Sequence, residues 1–205
     1  MRPPIAWVGE AADGHLELLD QTLLPAQEVV LELRDIGGVI DAIQRLAVRG
    51  APAIGVAAGY GVVLGVRHAG ACDPAELIRT LGAVCDELGA ARPTAVNLQW
   101  AVQRMRERGK REPDLAALLD EAHAIHQQDA ALCLQIGAHG AALVRDGMTV
   151  LTHCNAGRLA TAGDGTALAV LYAAWATGTR FRVLADETRP LLQGARLTAL
   201  ELHDA

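Results

Sequence analysis

The stretch from Ala51 to Val66 is apolar around its whole circumference, yet it carries Pro52 near its start and Gly55, Gly59, Gly61 and Gly65 along its length. It reads as a helix, because proline is tolerated in a first helical turn and the run is too long for a single strand. It falls short of the roughly 20 apolar residues that span a bilayer, and it is too rich in glycine to make a good span. A helix without a polar face must be surrounded by other elements, and its glycines let those neighbours approach closely. The rest of the chain therefore has to wrap this helix. With 51% hydrophobic residues in a length of 205, there is ample material for a core.

The hydrophobic period changes along the chain. Ile5–Val8 and His15–Asp20, separated by an Asp13-Gly14 turn, predict a β-hairpin, with Glu28–Leu33 as a third strand. From Asp35 to Ala47 the apolar positions Val39, Ile40, Ile43 and Leu46 recur at helical spacing, and Gly50 is expected to end that helix and to leave Arg49 at its C-terminus. Helices are also predicted over 73–88, with Asp73-Pro74 as the start signal, over 95–108, and over about 113–144. After Gly147 the order becomes strand 148–153, helix 164–176, strand 182–185 and a helix beginning near Pro190, the alternation of a parallel α/β sheet. The expected fold is thus α/β, with a small N-terminal β sheet and helical domain over 1–115. A linking helix and the first half of a Rossmann-like domain follow over 116–205. Two strands are few for a parallel sheet, whose faces and edges both need cover, so this second unit is expected to be incomplete.

Charge excludes one function class and cysteine usage suggests a compartment. There are 18 Lys and Arg against 24 Asp and Glu, a net charge of -6, and the basic residues are scattered, which disfavours nucleic acid as a partner. Cys72, Cys85, Cys133 and Cys154 form no Cys-x-x-Cys pair and no basic-apolar leader precedes them, so a reducing cytoplasm is expected and a membrane partner is not.

Chemistry concentrates at the end of the strand predicted over 148–153, where Thr152-His153-Cys154-Asn155-Ala156-Gly157 leads through a glycine-spaced segment toward a helix. Unpaired N–H groups at such a helix start suit an anion or a thiolate, although a strand ending in cysteine is also ordinary core. Arg49 and Arg92 each stand beside a Gly or Pro turn, where a guanidinium can grip a phosphate with two donors; as lone residues they also fit an ordinary surface. His153 and Cys154 are strand neighbours expected to face opposite ways, so a direct dyad is not expected. His123, His126 and His139 share one predicted helix, where a solvated or packed pair is favoured over metal ligands because no partner at a convincing spacing accompanies them. Asp164 is a candidate helix cap, and nothing in the sequence brings it to Glu187 as an acid/base pair. The Gly-x-Gly-x-x-Gly pattern is absent after the strand, so no nicotinamide cofactor is indicated.

Four segments in order, Val48-Arg49-Gly50-Ala51-Pro52-Ala53, Ala91-Arg92-Pro93-Thr94-Ala95-Val96-Asn97, Thr152–Gly157 and Asp186–Thr198, resemble the methylthioribose-1-phosphate isomerases of methionine salvage. The resemblance covers most of the chain. It implies an aldose–ketose isomerase (an intramolecular oxidoreductase) that takes a small sugar phosphate as substrate, uses no metal or organic cofactor and forms a homodimer. It gives Cys154 a proton-transfer role, Arg49, Gly50, Ala51 and Arg92 contacts to the sugar phosphate, and Gln193 a contact to a substrate hydroxyl. The family also carries a catalytic aspartate in an Asn-Gly-Asp segment that these 205 residues do not contain, which implies a truncated or split product, inactive alone or completed by a separate C-terminal polypeptide. The family has an aromatic residue where Asp164 stands, a local departure. Ribose-1,5-bisphosphate isomerase and the non-catalytic regulatory subunits of the guanine-nucleotide exchange factor for translation initiation share the scaffold and are the rival expectations.

Overall fold

A computed structural model describes residues 2–70 and 73–205. The expectation placed on Cys72 lies outside them. Strands β1 (Ile5–Val8), β2 (His15–Leu19) and β3 (Val30–Leu33) form an antiparallel sheet in that order, with Trp7 opposite Leu16 and Leu18 opposite Leu31. Five helices follow: α1 (Ile36–Gln44), α2 (Ala51–His68), α3 (Pro74–Ala90), α4 (Val96–Arg111) and α5 (Leu115–Ala141). Their starts are set locally. Asp35, Asp73 and Asp114 each accept a backbone N–H three residues on, satisfying donors that a first turn leaves free.

The glycine-rich helix is α2, and it is wrapped as its composition requires. Every residue from Ala53 to Val66 is buried, and α1, α3, α4 and α5 all pack against it. A Cβ at Gly65 would stand 2.7 Å from Val84, and one at Gly55 would stand 3.1 Å from the carbonyl of Asn97, so these glycines set the helix spacing. No helix among the described residues is long and apolar enough to cross a membrane.

Gly50 does not end α1, which stops at Gln44 with Leu46 in the left-handed region at φ +65°; Gly50 is instead the residue before α2. Arg49 therefore sits at the entrance of α2 rather than at the exit of α1.

The expected histidine pair is packed rather than solvated. Tyr60 of α2 is buried, stacks on Trp7 with centroids 5.5 Å apart, and holds its hydroxyl 3.0 Å from Nδ1 of both His123 and His126 on α5. Burial, reinforced by the neighbouring His123, lowers the His126 pKa below the ordinary histidine value, with Asp129 opposing. A base whose folded pKa is depressed contributes stability above its unfolded pKa of about 6.5, and that stability is lost as pH falls from there through the folded value. The melting temperature is thus expected to drop between pH 7.5 and 5.5, by less in His126→Gln. Equal slopes in parent and variant, read by circular dichroism, would dismiss this.

Beyond α5 lie β4 (Thr149–His153), a 3-10 turn at Arg158–Ala160, α6 (Ala167–Ala176), β5 (Arg182–Asp186), a π-helical turn at Gly194–Thr198 and α7 (Ala199–His203). β4 and β5 pair in parallel, Thr149 to Arg182 through His153 to Asp186. α6 packs on α5, while Leu151 and Leu184 on the two strands are exposed. The last helical segment begins at Gly194 rather than near Pro190, and α6 begins at Ala167 rather than Asp164.

Candidate functional site

Cys154 follows β4 directly and leaves the extended conformation, with φ at +60°. An L residue with a Cβ adopts that region at a cost, and such strain is concentrated at functional sites. His153 turns the other way, its Nδ1 lying 3.1 Å from Asp186 Oδ2 across the strand pair, so the two neighbours do not form a dyad.

What meets the Cys154 thiol is Arg49, from 105 residues earlier in the chain. Arg49 Nη1 donates to Cys154 Sγ at 3.8 Å, and Nη2 donates to the Asn155 carbonyl at 2.9 Å and to Asn155 Oδ1. Arg49 is only 7% exposed, and its Nε–H is buried without a partner among the described residues. Burial lowers the Arg49 pKa, opposed by Cys154 and Glu201, but a guanidinium starts so high that it stays charged.

Gly50 brings Arg49 to this place. Its φ of +89° belongs to glycine, and a Cβ there would stand 2.6 Å from the Cα, Cβ and carbonyl oxygen of Ala160 in the 3-10 turn. The entrance of α2 and the loop after Cys154 are thus in direct backbone contact.

A second charged group lies beneath the loop. Glu201 of α7 is 1% exposed; its Oε1 accepts from Asn155 Nδ2 at 2.7 Å and the Leu159 N–H at 3.3 Å, and its Oε2 accepts from the Arg158 N–H at 2.6 Å and the Tyr172 hydroxyl at 3.1 Å. A Cβ at Gly157 would lie 2.1 Å from Glu201 Oε2, so the carboxylate occupies room that only glycine leaves. Thr198 donates to the Cys154 carbonyl at 2.5 Å. The N–H groups that Glu201 takes are those of the 3-10 turn, while at the start of α6 the N–H groups of Thr166 and Leu168 donate to the Ala156 carbonyl.

The remaining candidates are placed less tightly. Ala51 opens α2 and is exposed. Arg92 is half-buried in the turn between α3 and α4, with no side-chain hydrogen bond or ion pair among the described residues. Gln193 stands just before the π-helical turn, its Oε1 accepting from the Thr188 hydroxyl. No hydrogen bond among the described residues joins Arg92 or Gln193 to Cys154. Asp164 does not cap α6: its carboxylate pairs with Arg158 Nε at 2.9 Å, while Glu187 accepts from the N–H groups of Thr188, Gly194 and Ala195, so the two acids serve separate partners. The group of potential metal ligands among the described residues, His15, Glu17 and Glu32, lies on the N-terminal sheet and not at Cys154.

Glu201 was not among the residues the sequence singled out. Thr198-Ala199-Leu200-Glu201 has the spacing of a capping box, a local device, and nothing in it points to a side chain whose partners lie 29 to 46 residues upstream.

The sequence signature of the initiation factor 2 subunit family matches residues 47–205. A methylthioribose-1-phosphate isomerase of Syntrophotalea carbinolica is 54% identical over 200 residues, 95% of this chain and 58% of the relative. Among solved structures, 5-methylthioribose 1-phosphate isomerase of Pyrococcus horikoshii superposes with a TM-score of 0.89 at 32% identity, covering 99% of this chain and 57% of that one. The translation initiation factor eIF-2B delta subunit of A. fulgidus gives 0.87 at 41% identity, covering 100% of this chain and 60% of that one. The chain thus spans about three fifths of the length of these relatives. With the matched signature running from Ala47, just before Arg49, through the Cys154 loop to the last residue, the chain belongs to the initiation factor 2 subunit family.

Proposed function

We propose that this chain carries the thiol side of an aldose–ketose isomerase site acting on 5-methylthioribose 1-phosphate to give 5-methylthioribulose 1-phosphate. The observation that supports it best is the contact between Arg49 and the strained Cys154, drawn from two segments far apart in sequence that both bear the resemblance. A relative 54% identical bears the isomerase name.

A phosphate on C1 blocks the ring opening that a free anomeric hydroxyl permits. The balance of the reaction is fixed: the bond from C1 to the ring oxygen breaks, that oxygen gains a proton, hydrogen on C2 ends on C1, and the C2 hydroxyl gives up its proton as it becomes a carbonyl. Cys154 is assigned the proton transfer near C1 and C2, with Arg49 fixing its sulfur and countering charge there. Arg92, at a turn and with its side chain unpaired among the described residues, is assigned to the phosphate, Gly50 and Ala51 to the same group at the start of α2, and Gln193 to a substrate hydroxyl. The acid partner belongs to an Asn-Gly-Asp segment that is not in this sequence.

A second reading, a regulatory subunit that binds a sugar phosphate without turning it over, is favoured by the 41% identity to a protein titled as an initiation factor subunit. Incubating the protein, with the Asn-Gly-Asp segment supplied, together with 5-methylthioribose 1-phosphate and following the ¹³C spectrum separates the two. A new ketone carbon at C2 is the expected result; chemical-shift changes without conversion support the regulatory reading, and neither signal overturns both.

A further inference from the structure

Two oxygens of one buried carboxylate receive four donors, and three of those donors belong to the loop that carries Cys154. The consequence for Asn155 is geometric. Glu201 only accepts, so Asn155 must turn its NH₂ toward it, and its Oδ1 then faces the opposite way, onto the donor-only guanidinium of Arg49. Arg49 Nη2 is thereby tied down, and Nη1 is left aimed at Cys154 Sγ.

We propose that Glu201 is a positioning residue of the Cys154 site, acting through Asn155 to hold Arg49 against the thiol. This rests on the isomerase reading for its purpose but not for its test. A buried carboxylate with so many donors would also stabilise the loop in a purely structural role. The two roles differ in one respect, since a positioning residue has no effect on Cys154 once Arg49 is removed.

An amide at position 201 matches the carboxylate in shape but must turn an NH₂ toward one of two donor pairs; turned toward Asn155 and Leu159 it breaks the relay without opening a cavity, and Glu201→Leu, which offers no acceptor, breaks it in either case. The probe is iodoacetamide, whose reaction is read as mass gain on the peptide containing Cys154 and needs no turnover. The attacking sulfur must be anionic, and Arg49 is the cation beside it, so Arg49→Gln is expected to slow alkylation roughly tenfold and Glu201→Gln roughly fivefold, with the double variant no slower than Arg49→Gln alone. If the two effects multiply, or if Glu201→Gln and Glu201→Leu both alkylate at the parent rate, the relay does not exist. Should Glu201→Gln fail to fold, Glu201→Asp, which keeps the charge but shortens the reach, is put through the same cycle with the same two criteria. Failure of the isomerase reading shows elsewhere, as no conversion of the sugar phosphate, and leaves the alkylation cycle untouched.

Discussion

Gly50→Ala is expected to lower stability by about 2–6 kcal/mol. Two costs combine: an L residue at φ +89°, ψ 134° is strained by on the order of 1–3 kcal/mol, and forcing a methyl into a filled space costs on the order of 1–3 kcal/mol more. The neighbour cannot give way cheaply, because the new Cβ would stand 2.6 Å from backbone atoms of Ala160 rather than from the tip of a flexible side chain. The loop would have to lift off the start of α2, and with it Asn155 would leave Arg49, so the site loosens along with the fold. For a chain of this size the loss corresponds to a fall in melting temperature of roughly 10 °C. A Gly50→Ala protein that melts within 2 °C of the parent by calorimetry would mean that the close approach of Gly50 to Ala160 is wrong.

Most of the scaffold was legible because its signals are local. The all-round apolarity of residues 51–66 dictated a surrounded helix, Asp73-Pro74 marked a helix start, and the change of period after Gly147 gave the parallel strand pair. Where the reading slipped, a local signal had more than one structural use. Glycine commonly follows a helix, but Gly50 precedes one, because a contact with Ala160, 110 residues later, demands it, and Leu46 took the left-handed position that glycine was expected to fill. Asp164 has the character of a cap, yet Arg158 claims its carboxylate. The site divides the same way. Cys154 and Arg49 were named from their segments, but no spacing rule reveals that a side chain at 49 touches one at 154, and Glu201 was hidden entirely because its partners come from the loop after β4, the 3-10 turn and α6.

The assignment of Cys154 carries the largest expected effect on function. Cys154→Ser exchanges sulfur for oxygen at almost constant shape, keeps the backbone strain at φ +60°, and leaves Arg49 a smaller acceptor in the same direction. Folding should scarcely register the change, with a melting temperature within about 3 °C of the parent, because the Arg49 contacts to Asn155 persist. Proton transfer should register it strongly. A serine hydroxyl is a far weaker acid than a thiol, so it is poorly matched to the exchange of a carbon-bound hydrogen near neutral pH, and a lost general acid–base group costs about 10²–10⁴-fold in rate. Measured with the Asn-Gly-Asp segment supplied to parent and variant alike, the fall is expected in kcat, with KM for the sugar phosphate changing little, because the phosphate is assigned to the α2 entrance and Arg92 rather than to the sulfur. Should the serine protein convert substrate at the parent kcat, Cys154 is a packed hydrophobe after all. Should KM rise while kcat holds, the sulfur binds substrate without moving its protons.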